Sequence, residues 1–282
     1  MSTDTRSGAT PSDAVGRASA LGTVRSLRGV AGTAGFVAAW WVAALFQPPY
    51  LLPSPVEVAA AFAAELAASA VYTVPLVGAD VELSRLVVKL LQSLQHYVPG
   101  LVAGTVLGVG LGVAMGWNDR LDDALTPVTR VLRPIPPLAW IAFAIVWIGI
   151  GHAGAAFIVG IGAFWINFYN AYSGVGGVPA DLKEVAASLG VDDDREMIRR
   201  VVLPSATPEI ATGVRTSIGQ CWMIVVAAEL FGAPGVGYQI IVAAQNLEMA
   251  VSVAYMLVIS AVFLVSDGLF RRVEGRVLAW RT

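Results

Sequence analysis

Residues 97–116 read Tyr-Val-Pro-Gly-Leu-Val-Ala-Gly-Thr-Val-Leu-Gly-Val-Gly-Leu-Gly-Val-Ala-Met-Gly, with no charged side chain among them. Crossing about 30 Å of hydrocarbon takes roughly 20 apolar residues as an α-helix, and lipid offers no partner to an unpaired backbone group. The run is therefore expected to be a membrane-spanning helix. Comparable runs occupy Val30–Phe46, Ile135–Ile150, Ala153–Ser173 and Met249–Ser266, and another from about Ile210 to Phe231 is interrupted only by Arg215 and Glu229. The expected fold class is all-α, a polytopic membrane protein with about six transmembrane helices.

Composition agrees. Of 282 residues, 56% are apolar and 13% charged, and the mean hydropathy is +0.70, whereas a soluble domain carries about 25% charged residues. A net charge of −2 leaves no footprint for nucleic acid. The single cysteine, Cys221, excludes an internal disulfide, and two histidines are too few for a zinc site. No metal is expected.

Basic residues near span ends stay on the cytoplasmic side. With the N-terminus inside, every Lys and Arg except Arg85 and Lys89 falls in a cytoplasmic segment. Both termini are then expected to be cytoplasmic, in a multi-pass protein of the cell membrane. Residues 1–28 are rich in Ser, Thr, Ala and Gly and read as a loose cytoplasmic tail. Residues 29–282 form the transmembrane domain.

Local signals punctuate the spans. Ser54, Pro55 and Glu57 read as N-cap, first helical residue and capping box of a helix that follows the first span. Glu82, Arg85, Lys89, Gln92 and His96 recur at helical spacing opposite Leu83, Val87, Leu90, Leu91 and Leu94. That amphipathic helix either lies at the lipid–water boundary or presents its polar face to an outside partner. Pro134, Pro136 and Pro137 prevent a regular helix at the entry of the third span.

The most informative stretch is the loop 174–208. In it, residues 179–190 begin with a helix-starting proline and an acidic first turn and end on a glycine. They read as a short helix with Leu182, Val185, Ala186 and Leu189 on one face, held in the cytosol to dock into something. The sequence from Glu184-Val185-Ala186 through Gly190 to Val201-Val202-Leu203-Pro204 resembles the hallmark cytoplasmic loop of permease subunits of binding-protein-dependent ABC importers. Thirteen residues, 191–203, separate Gly190 from Pro204, one more than the family pattern, with the surplus near Asp192-Asp193-Asp194.

The resemblance extends from about Leu52 to Arg281 and points to the nitrate, aliphatic sulfonate, taurine and bicarbonate branch. It is carried by Leu52-Pro53-Ser54-Pro55, Ser93-Leu94 with Gly100, Arg133 to Pro137, Gly149-Ile150-Gly151, Gly213-Val214-Arg215, Trp222, Ala228-Glu229 and Gly235-Val236-Gly237-Tyr238. Ile166-Asn167 departs from it, standing where relatives usually have a proline and an apolar residue, and the stretch between Pro55 and Ser93 is longer than usual. The resemblance implies that Asp181, Leu182, Glu184, Ala186, Ala187, Leu189 and Gly190 form a coupling helix gripped by an ATP-binding cassette subunit. It also implies a homodimer with a second copy of the permease and an extracytoplasmic substrate-binding protein.

ATP and magnesium are expected in the partner ATPase, with no cofactor in this chain. A phosphate-binding loop needs Gly-Lys, and the only lysines, Lys89 and Lys183, follow Val88 and Leu182. The chain is therefore not an enzyme.

Single residues within the spans leave alternatives open. Arg215, Trp222 and Glu229 share a stripe of the fifth helix. Arg215 is expected to snorkel, and Glu229 to serve as a structural or gating hydrogen-bond group. Asn167 and Asn170 either line the path and bond an oxyanion or bond between helices. His152 carries no assignment. The implied function is translocation of a small solute, an anion such as sulfonate, taurine, nitrate or bicarbonate, or else a thiamine-precursor pyrimidine. An ATP-independent secondary transporter or channel is the alternative.

Overall fold

The computed structural model describes residues 29–75 and 78–277; the expected tail at 1–28 lies outside them. The order is α1 (Gly29–Ala44), α2 (Pro55–Ala67), β1 (Ser69–Thr73), β2 (Asp80–Ser84), α3 (Arg85–Trp117), α4 (Asp119–Leu132) and α5 (Ile141–Trp147). It continues with α6 (His152–Gly176), α7 (Ala180–Ser188), α8 (Asp194–Met197), α9 (Leu203–Glu229), α10 (Val236–Gln245) and α11 (Met249–Val277).

Helix α2 begins as its sequence dictates. Ser54 Oγ accepts from the Glu57 amide at 3.3 Å, and Glu57 Oε2 accepts from the Ser54 amide at 2.7 Å. The chain after α2 corrects the all-α expectation, because β1 and β2 form an antiparallel hairpin with Thr73 opposite Asp80 and Ser69 opposite Ser84. The hairpin feeds directly into α3, and Glu82 belongs to β2 rather than to a helix.

The core of the bundle is the contact of α3 with α6. Gly100, Gly104, Gly108, Gly112 and Gly116 recur every fourth residue and form one stripe on α3. A Cβ on Gly100, Gly104, Gly108 or Gly112 would overlap the carbonyl oxygen of Ala156, Gly160, Phe164 or Phe168 respectively. Lipid gives helices no hydrophobic reason to associate, so close backbone approach through small residues supplies the contact. α9 packs against both α6 and α3, where Tyr97, Val159, Ala163, Cys221, Trp222 and Val225 form a buried cluster.

The third expected span is not one helix. Pro134, Pro136 and Pro137 interrupt it, a 3₁₀ turn follows at Pro137–Trp140, and α4 and the Pro137–Trp147 segment meet at 85°. The fifth is longer than expected: α8, a π-helical turn at Ile198–Val202 and α9 run on as 36 residues, Asp194–Glu229. In place of about six spans, four helices among the described residues are long and apolar enough to cross, or five with the bent pair. Helix α1 covers about 24 Å at 1.5 Å per residue, short of the hydrocarbon thickness.

Candidate functional site

At one end of the bundle, α7 is fastened by one small side chain. Ala186 is buried with Val175, Val178, Met197, Val202 and Ala206, which come from the end of α6 and the run into α9. Lys183 Nζ lies 5.4 Å from the ring centroid of Trp117, the last residue of α3. Leu182, Val185 and Leu189 stay exposed, Leu189 at 80%, as do Asp181, Glu184 and Ala187. The expected docking face is thereby corrected: Ala186, at its edge, is turned into the bundle and leaves an apolar patch of three residues.

Gly190 has φ +89°, a left-handed conformation that side chains strain to adopt, although a Cβ there would meet nothing within 4 Å. Asp193 caps α8, and the π turn at Ile198–Val202 is closed by i to i+5 bonds that enclose one residue more than an α turn.

Helix α6 starts and α9 ends at the opposite end of the bundle, about 37 Å away along the 25 residues of α6. There Glu229 is fully buried. Its Oε1 lies 2.6 Å from Nε2 of His96, and its Oε2 accepts from the Gly237 amide. His96 Nδ1 lies 3.1 Å from Nδ1 of His152, at the first residue of α6. Ser93 Oγ accepts from the Val236 amide at 2.9 Å. The first two amides of α10, which a helix leaves unpaired, are thus held by Glu229 and by α3. A Cβ at Gly235 would overlap the Glu229 carboxylate, so the glycine permits this approach.

Of the polar face expected at the lipid boundary or on an outside partner, Glu82 and Arg85 stay exposed, while the residues further along α3 turn inward. Arg85 pairs with Glu65 of α2 at 3.0 Å, and Glu65 accepts from Tyr255 of α11 at 2.7 Å. Lys89 is half-buried and His96 fully so. This polar seam joins α2, α3, α9, α10 and α11.

In the middle, Asn167 is buried and donates to Thr105 Oγ1 of α3 at 3.1 Å and to the Ala163 carbonyl at 2.8 Å. The amide nitrogen thus bonds between helices, while Asn167 Oδ1 is buried without a partner. Asn170 donates to its own helix at Ile166 and packs on Gly213 of α9. Trp222 is stacked on Tyr97 with centroids 4.2 Å apart, and the Tyr97 hydroxyl donates to the Ile218 carbonyl at 2.8 Å.

A groove of about 840 Å³ runs between α9 and α11, lined by Thr216, Gln220, Trp222, Met223 and Phe263 and ending at Arg215, Asp267 and Glu274. A second hollow, about 330 Å³, lies between the proline-broken segment, α6 and α9 and shares Gln220 and Met223. Arg215, partly exposed, places its Nε 3.0 Å from Asp267 of α11, which also takes Arg271 at 2.6 Å. Gln220, Met223 and Asp267 escape a sequence reading, although Asp267 is the first charge after the Met249–Ser266 run. Among the described residues, no three His, Cys, Asp or Glu converge as metal ligands.

A helical membrane bundle with an exposed helix at one end and grooves along its length defines the membrane-spanning part of a transport system. The chain belongs to the family of binding-protein-dependent transport system inner membrane components, which matches residues 104–279. A protein of Methanocaldococcus jannaschii named as an ABC transporter permease is 36% identical over 67% of this chain and 71% of its own length. The bicarbonate transport system permease protein of Synechococcus elongatus is 34% identical, and the taurine transport system permease protein of Escherichia coli 33%, each over 58% of this chain. The chain spans 57% and 60% of the length of these two.

The inward-facing methionine ABC transporter MetNI shares the fold with a TM-score of 0.56 and 20% identity, over 70% of this chain and 96% of that one. The chain is a non-catalytic permease component, and ATP hydrolysis belongs to a separate subunit.

Proposed function

We propose that this chain, as a homodimer, forms the path of an ATP-driven importer for a small anion of the sulfonate, taurine, nitrate or bicarbonate kind. The observation that carries the reading is α7. Leu182, Val185 and Leu189 are exposed beside a buried Ala186, so the helix offers an apolar patch from a fixed base. It lies on the cytoplasmic side and seats in a groove of the ATP-binding cassette subunit, which binds ATP and magnesium. An extracytoplasmic binding protein delivers the substrate at the other end.

Ala186 packs on both α6 and the start of α9, and Lys183 rests on the end of α3. A displacement of α7 therefore moves three spans together, because packed interfaces switch rather than deform continuously. In the dimer that motion exchanges inward-facing for outward-facing bundles. The anion class rests on the relatives named for bicarbonate and taurine. The test is uptake by liposomes holding this chain with its ATPase and binding protein, offered taurine, an alkanesulfonate, nitrate, bicarbonate or a thiamine-precursor pyrimidine. ATP-dependent uptake of one anion is expected. Uptake without ATP, abolished by an ionophore, would establish a secondary transporter instead.

A further inference from the structure

His96 and His152, the only histidines of the chain, meet each other and Glu229 at the end of the bundle remote from α7. An unpaired polar group is costly in a low-dielectric interior, so the proton positions follow from which arrangement leaves none unpaired. Ionised Glu229 accepts, and His96 donates to it from Nε2. A neutral His96 then has a bare Nδ1, which accepts from Nδ1–H of His152. A proton added at Nε2 of His152 leaves every one of these bonds in place. A second, added at His96, sets two N–H donors face to face and breaks the contact between the rings.

Few other charges bear on the cluster. Lys89 of α3 is within reach of the fields of Glu229 and Glu65, and Arg85 and Tyr255 are engaged by Glu65. From α10 come backbone amides and the outward-facing Tyr238; α6 contributes His152 and α9 contributes Glu229.

We propose that His96, His152 and Glu229 form a one-proton relay that fastens the starts of α6 and α10 to α3 and opens when both imidazoles are protonated. The two histidines are positioning residues: they act on the path through α10, whose first amides rest on Glu229 and Ser93. A helix N-terminus disfavours positive charge, and His152 is the first residue of α6, so the doubly protonated state is expelled from both sides. Acid at this face therefore frees α10 without unfolding the α3–α6 contact.

The test uses the full chain, purified through a histidine-free tag, labelled with ¹⁵N-histidine and placed in lipid nanodiscs, where NMR sees two imidazole rings. Near neutral pH one ring should carry its proton on Nε2 and the other on Nδ1, with a coupling across the two Nδ1 atoms. Stepwise acidification should add one proton with the coupling kept and then lose it as the second enters. Hydrogen exchange at Val236 and Gly237, corrected for its intrinsic pH dependence, should rise about tenfold or more at that step, reporting local opening. His152→Gln, with no ring to titrate, should abolish the step. Glu229→Gln should erase the Nε2–H preference of His96, and where that variant fails to fold, His152→Gln decides alone. Two rings titrating independently without coupling, or an exchange step that survives in His152→Gln, would overturn the relay.

Discussion

His96 and Glu229 stand 133 positions apart in the chain and meet at 2.6 Å with both side chains fully buried. The contact fixes α3 against the junction of α9 and α10. His96→Leu would leave the Glu229 carboxylate with the Gly237 amide and no imidazole, and leaving a buried acceptor short of a donor costs about 1–3 kcal/mol, more when it is charged. His96→Gln keeps an amide donor and should recover much of that loss. Detergent unfolding of the two variants checks this; equal stability of wild type and His96→Leu contradicts it.

The α3–α6 contact leaves no room for a side chain. Gly104→Leu and Gly108→Leu each push a side chain into an α6 carbonyl, and overpacking costs about 1–3 kcal/mol or more where backbone must move. Gly110 points away, with nothing within 4 Å of a Cβ, so Gly110→Ala should melt like wild type. The folded fraction after solubilisation separates the two classes.

What the sequence shows and what it hides divide along physical lines. Spans are legible because lipid imposes a length and a composition, and the breaks at Pro134, Pro136 and Pro137 and the cap at Ser54 are legible because they are local chemistry. The five glycines from Gly100 to Gly116 stand in plain view at a spacing of four, yet only the facing carbonyls of α6 reveal their use. The hairpin is hidden because Glu82, Arg85 and Lys89 fit a helical period that in fact starts at Arg85. The Glu229, His96 and His152 cluster is hidden for a deeper reason, since no local pattern links residues from three separate helices.

Asn167 and Thr105 share a hydrogen bond across α3 and α6, and such bonds are worth about 0.6 kcal/mol on average in membranes. Asn167→Leu and Thr105→Val should each cost about that much, and the double variant little more. If Asn167→Leu stops uptake while Thr105→Val is silent, the amide serves passage rather than packing.

Arg215 and Asp267 close one end of the groove between α9 and α11. Because Arg215 is partly exposed, Arg215→Gln and Asp267→Asn should each cost less than about 1 kcal/mol. Their effects should be non-additive, the double variant matching the worse single one. Additive losses in a thermal-melt cycle would mean that the two do not act as a pair.

The central claim is that α7 is the seat of the ATPase. Its most direct measurement is gentle solubilisation of native membranes holding the tagged chain, with mass spectrometry of what stays bound. Wild type should retain an ATP-binding cassette subunit. Leu189→Asp and Val185→Asp should lose it with unchanged melting, since both side chains are exposed. Gly190→Val should lose it through about 1–3 kcal/mol of backbone strain at φ +89°. Undiminished retention in all three variants, or recovery of the chain alone under conditions that hold a known importer together, would contradict the account.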